Sequence, residues 1–337
     1  ATGASVNVSL KSGTNKLHGS ANVSGSGGPL MTRNFFTNRF LFDPTTGPVT
    51  PEKIAANTPA VRWMRYSGAV GGPLVIPRVY NGRNRTFWMF GYQTHNRVRP
   101  QATLNSVPAK AHREGDFSNL LAVGAAYQIY DPATTTPEPA GARLRRQPCA
   151  GNVIPPSRIH PVSRRISRYY PLPNTAGTPD GLQNFSYTYV AEQNLTQPLI
   201  RFDHNFSESH RMFARYAQSN FSGIFDRIIP DSPVRGRLRG RPYRGAALDD
   251  VAVLNSRLVL DVRYGFTWFK ENERFSNQGW DLSEFGFPAS LTRVLDPAGI
   301  TVPELAVNDV VTIGNNGGFS QTNYSHTLLA TLNQMRG

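Results

Sequence analysis

The lengths of the connectors constrain this chain more than any single motif does. Period-2 alternation and turn residues mark candidate strands at Leu17–Gly25, Val61–Gly72, Arg85–Arg97, Thr196–Phe206, Arg211–Phe221, Ala246–Leu254, Arg257–Lys270 and Thr322–Asn333. The connectors between them run long (about 26–60), short (73–84), very long (98–195), short (207–210), medium (222–245), very short (Asn255, Ser256) and long (271–321). Long and short connectors alternate throughout. In an up-and-down antiparallel sheet, all long connectors then emerge at one end and all short ones at the other. Barrels that cross an outer membrane have that asymmetry, with short periplasmic turns and long external loops. A soluble sandwich has no reason to sort its loops.

The clearest strand, LVLDVRYGFTWFK, places Leu258, Leu260, Val262, Tyr264, Phe266 and Trp268 on one face. Asp261, Arg263, Gly265 and Thr267 fall on the other, with Val259 and Phe269 as apolar exceptions. The alternation alone cannot say whether the apolar face meets a second sheet or lipid. A spanning strand needs roughly 9–11 tilted residues, a length that Leu258–Trp268 supplies. On the barrel reading those six residues face lipid, and a charge at Val262 near the midplane would cost roughly 2–4 kcal/mol. Arg201, Asp203, Asp261 and Arg263 would then face the lumen, against water or a plug.

Composition narrows the alternatives. Mean hydropathy is -0.39 and no stretch approaches the roughly 18 consecutive apolar residues of a spanning helix. A barrel strand hides its hydrophobicity by alternating, so this does not count against a barrel. The chain has 30 Gly and 26 Pro, which suits strands and long loops. Twelve of those prolines lie in 98–195, which argues against further barrel strands there. Short ordered pieces are expected inside it. One is a helix from Pro161 with Val162, Ile166 and Tyr169 on one side and Arg164, Arg165 and Arg168 exposed; another is Ala109–Glu114, stopped by Gly115.

No catalytic or metal-binding pattern emerges. The seven His form no HExxH, the single Cys149 rules out an internal disulfide or a cysteine metal site, and no GxSxG elbow occurs. GAVGGP (Gly68–Pro73) lacks the GK[ST] of a phosphate loop and reads as a strand end where backbones approach closely. No enzyme activity and no cofactor are expected. A formal charge of +14 invites anionic partners. Its densest run, RGRLRGRPYR (Arg235–Arg244), reads as a solvated basic loop at the long-connector end. In isolation it also resembles an Arg/Gly nucleic-acid tail.

KSGTNKLHGS (Lys11–Ser20), preceded by SVNVSL, resembles the junction where the plug of a TonB-dependent outer-membrane receptor enters its barrel. The match is narrower to the Oar-like receptors, whose barrels begin KSGTN-x-x-HG. It continues through RNFF (Arg33–Phe36), GGP (Gly71–Pro73), TFWMFGYQ (Thr86–Gln93), VPAKAHREGDFS (Val107–Ser118) and IYDP (Ile129–Pro132). GNVIPPSRIHPV (Gly151–Val162), YYPLPN (Tyr169–Asn174) and RFDHNFSESHRMFARY (Arg201–Tyr216) complete a series in order from Ala1 to Gly337.

The resemblance implies an all-β fold, a transmembrane antiparallel up-and-down barrel of 22 strands with a plug and long external loops. This chain would supply about the first eight strands. Residues 1–16 would be the end of the plug and its junction, carried by Lys11, Ser12, Gly13, Thr14, Asn15, His18 and Gly19; residues 17–337 would begin the barrel, with 98–195 as an external loop segment. A carboxypeptidase-regulatory-like domain and most of the plug would lie upstream. Implied partners are outer-membrane lipid, a TonB-type energy-coupling protein and an external ligand such as a glycan fragment or metal chelate; nucleic acid is not expected. The implied location is the outer membrane of a Gram-negative-type bacterium. The chief rival is a secreted β-sandwich module that binds polysaccharide, which predicts apolar faces buried between two sheets.

Overall fold

The computed structural model describes residues 12–27, 47–56, 62–138, 141, 143–229, 234–315 and 317–334. Its frame is one eight-stranded sheet in which strands adjacent in sequence are adjacent in space. The strands are β1 (His18–Gly27), β2 (Arg62–Pro73), β3 (Thr86–Asn105), β4 (Phe185–Asn205), β5 (His210–Phe225), β6 (Arg237–Asn255), β7 (Leu258–Phe275) and β8 (Phe319–Gln334). Every pairing is antiparallel, and β1 and β8 each have a single partner. Connectors 28–61, 106–184, 226–236 and 276–318 leave one end of the sheet, while 74–85, 206–209 and 256–257 turn at the other. Among the described residues no helix is long and apolar enough to cross a membrane.

All eight expected strands are present, but several run well past their expected ends toward the long connectors. The loop expected over 98–195 spans only 106–184, because β3 continues to Asn105 and β4 begins at Phe185. Among the described residues Pro100 pairs only with β4, whose Val190 lies opposite it, while the ladder with β2 runs to Arg62 and Val98. The basic stretch expected as a loop is also strand from Arg237 onward, paired with β5 and β7.

Registers sort the residues onto two faces. One face carries two unbroken rows across the sheet: Gly72, Trp88, Phe202, Ala214, Leu248, Tyr264, Leu328, and Val70, Phe90, Ile200, Tyr216, Ala246, Phe266, His326. Leu258, Leu260, Val262, Tyr264, Phe266 and Trp268 all lie on this face, as alternation requires. Toward the long connectors its character changes after Tyr92, Trp268 and Tyr324. The row Gly25, Met64, Asn96, Asn194, Ser222, Gly240, Asn272 and Ser320 has one apolar member. The opposite face is mixed, with Phe213, Phe221 and Phe225 among its polar residues, and carries Arg201, Asp203, Asp261 and Arg263.

The apolar face is not buried. Phe90, Phe202, Tyr216, Leu248, Tyr264 and Leu328 are all exposed, Leu328 at 73%. A continuous exposed apolar surface of this kind calls for a partner phase or protein. The sandwich reading required a covering sheet, and the two smaller sheets among the described residues are two-residue pairs, Val75–Ile76 with Tyr80–Asn81 and Thr136–Pro137 with Leu144–Arg145.

The buried core lies in the connectors instead. Val107, Ile166 and Tyr170 from 106–184 meet Ile229 and Val234, and Leu282, Phe285, Val302 and Ile313 from 276–318, together with Phe185 at the start of β4. The helix Pro161–Ser167 forms as expected, burying Ile166 and leaving Arg164, Arg165 and Arg168 exposed. Lys110–Arg113 is the other expected helix, followed by Gly115 at φ +91°.

Candidate functional site

Three features of the molecule could act on a ligand: a loop cap, the polar face beneath it, and a fastening at the far end of the sheet.

The cap is made rigid by buried polar side chains that replace missing backbone partners. Asn152 is fully buried at φ +60°; its amide donates to Phe117 O (2.8 Å) and Tyr127 O (3.1 Å), and its Oδ1 accepts from Ile129 N (2.7 Å). Asn184 bridges both backbone groups of Val107 at 2.8 Å. Arg113 donates to Pro108 O and Tyr170 O, and burial pulls its guanidinium below the ordinary value. The long connectors are also tied to each other, by Val311 N to Ser106 O (2.9 Å) and Gly314 N to Val234 O (2.9 Å). On its surface a cleft of about 460 Å³ is lined by Arg165, Arg168, Tyr169 and Glu284. Burial, then the hydrogen bond to Glu284 (3.2 Å), pushes the Tyr169 phenol up.

Beneath the cap, the polar face is rich in arginine over its upper tiers. On β6, Arg237, Arg239 and Arg241 point to one side at period 2, opposite Glu271 and Glu273 of β7. Arg237 pairs with Asp226 and Glu273, Arg239 with Glu273 (2.6 Å), and Arg241 with Glu271 (2.5 Å). Glu273, its side chain only 7% exposed, joins two guanidiniums, which is what allows a carboxylate to be buried here. Phe225 and Phe221 sit under Arg239 and Arg241, at 5.7 and 6.0 Å from ring centroid to Cζ. Lower on the same face Arg201 is doubly bonded to Asp203 and lies 3.9 Å over Phe213. Arg263 bridges Asp249 (2.6 Å) and Asp261 (2.7 Å). The four residues expected on one side are therefore brought together on it, in two charge-paired groups.

The other half of these tiers is different. Arg65 of β2 is opposite His95 of β3, Trp63 is opposite Arg97, and Arg99 follows two residues on. None of these three arginines has a carboxylate partner among the described residues. Arg65 lies 5.2 Å over Trp63, whose ring meets His95 edge-on at 5.5 Å. This column escaped the sequence reading, although Arg97 and Arg99 stand at the same period-2 spacing as Arg237, Arg239 and Arg241.

At the far end, the junction motif is fastened to the β2–β3 turn. Asn15 Oδ1 accepts from Asn84 N (2.6 Å), and the two side-chain amides also meet. Thr14 Oγ1 contacts His18 Nδ1 (3.3 Å), which also meets Lys16 O (2.9 Å). Gly13 is buried where a Cβ would come 2.6 Å from Trp88 O. At Gly19 a Cβ would come 2.9 Å from Ala69 O. Ser12 is exposed, and Lys11 lies outside the described residues, as do SVNVSL and RNFF. Gly71 and Gly72 are buried at the end of β2 against Trp88 and Leu17, the close approach expected of GAVGGP. Among the described residues no group of three or more His, Cys, Asp or Glu could hold a metal ion.

A family model described as "Outer membrane beta barrel domain" matches residues 9–337. Comparison with curated proteins and with solved structures gave no match.

Proposed function

The chain belongs to the outer membrane β-barrel domain family, and from that premise we propose that it is part of a TonB-dependent receptor of the Oar-like kind. Such a receptor takes up a large external ligand through a plugged barrel, driven from the inner membrane of a Gram-negative-type cell. The observation that carries the reading is the exposed apolar band on one face of all the strands from β2 to β8, bounded above by a polar row. In hydrocarbon every backbone N–H and C=O must be paired, so strands reach lipid only as part of a closed barrel. Closure here calls for further strands beyond β1 and β8, consistent with a barrel of about 22.

On this reading Leu258, Leu260, Val262, Tyr264, Phe266 and Trp268 face lipid, with Trp268 and Tyr324 at the outer interface. Arg201, Asp203, Asp261 and Arg263 face the lumen. The strands continue past the interface, so the arginine tiers and the cap stand outside the membrane, where an external ligand arrives. The series of Oar-like motifs and the junction Ser12–Gly19, anchored on the periplasmic side, support a plug entering at β1. Binding and passage break no bond of the ligand, so the site needs no nucleophile or general base.

Fractionating cells that make the full-length protein tests this. It is expected in the outer-membrane fraction, with a gel mobility that changes on heating. Uptake of its ligand is expected to stop when the TonB-type protein is deleted; a full-length protein soluble without detergent overturns the reading.

A further inference from the structure

The two halves of the arginine tiers differ in one respect that a structural role does not explain. Arg237, Arg239 and Arg241 are matched by Asp226, Glu271 and Glu273. Arg65, Arg97 and Arg99, with His95 between them, have no carboxylate at all among the described residues. Outside the described residues the sequence holds two acids, Asp43 and Asp231. On these part-buried side chains Arg65 Nε and His95 Nε2 are shielded and have no hydrogen-bond partner among the described residues. Shielded polar atoms left unpaired are costly, and two side by side on neighbouring strands point to a partner supplied from elsewhere. Clustered like charges raise that cost further. Guanidinium forks match planar or tetrahedral oxyanions, and Trp63 beneath Arg65 limits how far that fork can turn.

We infer that Arg65, His95, Arg97 and Arg99 form a binding site for a compact oxyanion, a soluble ligand carrying two or more carboxylate or phosphate groups. The inference rests on the polar face being the lumen side, and it assigns a chemical class to the ligand of the proposed receptor. The anion enters under the cap and replaces the carboxylates that the opposite half draws from β7.

The test uses the full-length receptor purified in detergent, titrated calorimetrically at low salt with pyrophosphate and, separately, with citrate. The wild type is expected to bind at least one of them, and which one decides between phosphate and carboxylate. The triple variant Arg65→Gln/Arg97→Gln/Arg99→Gln is expected to lose at least about tenfold in affinity, since three charge-assisted hydrogen bonds are removed. Arg62→Gln takes one positive charge, as Arg99→Gln does, but from the opposite face of β2, and should leave binding unchanged. If the triple variant does not fold, Arg99→Gln alone, at an exposed position, should still weaken binding about threefold and flatten its salt dependence. A wild type that binds neither anion, or a folded triple variant that binds like wild type, overturns the inference. So does an equal loss in Arg62→Gln. A heat-modifiable outer-membrane protein that binds no anion leaves the proposed transport standing, whereas a soluble protein that binds anions removes the transport and keeps the site.

Discussion

Ala246 and Ala247 are adjacent, chemically identical and on opposite faces, which makes them the sharpest probe of what each face meets. Ala246 lies in the row Phe90, Ile200, Tyr216, Phe266; Ala247 lies in the row Met89, Arg201, Arg215, Gly265. Ala246→Lys is expected to cost roughly 2–4 kcal/mol if that row is near the bilayer midplane. Ala247→Lys should cost less than about 1 kcal/mol, being a hydrated charge with Arg215 as a weak repulsive neighbour. Urea titration of the receptor folded into vesicles measures both, and equal costs would show that the faces are misassigned. Val262, singled out by the sequence as the place for such a charge, is a poorer site. It pairs with Asp250, which is bonded to His210 at 2.7 Å on the same face, so on the proposed reading this row lies near the interface at the short-turn end. Val262→Lys should accordingly cost less than Ala246→Lys. At the junction, Gly13→Ala would force a methyl to within 2.6 Å of the Trp88 carbonyl, and a loss of about 1–3 kcal/mol is expected in the same titration. The motif KSGTN was visible in the sequence; the reason for its glycine was not, because Trp88 O belongs to a strand far along the chain.

At the scale of elements, the sequence revealed every strand but only part of several, chiefly β3, β4 and β6. Apolar alternation reports the stretch of strand whose outer face is apolar, and above Tyr92, Trp268 and Tyr324 that condition ends while the ladder goes on. Alternation resumes over 98–105, where Val98, Pro100, Ala102 and Leu104 oppose Arg99, Gln101, Thr103 and Asn105, and over Phe185–Tyr189. Thr94 and Asn96 interrupt it on β3, however, and the density of prolines in 98–195 argues for loop. Over 237–242 the arginines of β6 alternate with Leu238, Gly240 and Pro242 and read as loop. The carboxylates that hold them, Glu271 and Glu273, lie on the next strand and could be assigned only once the register was known. Glu273→Gln takes one charge from Arg237 and from Arg239, and about 1–3 kcal/mol is expected, less than for a fully buried pair because both arginines are about a third exposed. Amide exchange should speed up at the cap end of β6 and β7 and stay unchanged at Asn255–Leu258. The cap has its own pH response. Asp116, Asp131, Asp180 and Asp281 are each held below the ordinary carboxylate value, first by side-chain hydrogen bonds from Ser118, Arg158, Thr178 and Ser283. A carboxylate depressed in the folded state stabilises it above its unfolded value, and that stability disappears as pH falls through the folded value. Below about pH 4, cap segments 106–184 and 276–318 should become sensitive to an acid protease while the strands stay protected. Cleavage that is independent of pH would mean these contacts do not hold the cap.

For the whole molecule, the distribution of burial decides which environment it needs. A water-soluble domain of this size hides its core between layers, whereas here the buried apolar residues sit in the connectors and the sheet exposes its own. The sorting of connectors, visible in the sequence, anticipated this arrangement because a cap can form only where long loops leave the same end. The core within it was not legible, since Val107, Ile229, Phe285 and Ile313 come from separate loops without shared periodicity. The sheet also has two edges, β1 and β8, whose outer backbone groups have no strand beside them among the described residues. Open edges and an apolar face together favour edge-to-edge and face-to-face association in water. Residues 1–337 produced alone are therefore expected to sediment as aggregates from detergent-free buffer. In detergent micelles the apolar face is covered, the edges remain, and small oligomers with strand-rich circular dichroism should replace the sediment. A monodisperse monomer that unfolds cooperatively in plain buffer would mean that the face bearing Phe90, Tyr216 and Leu328 is satisfied by protein, and the membrane reading of that face would have to be abandoned.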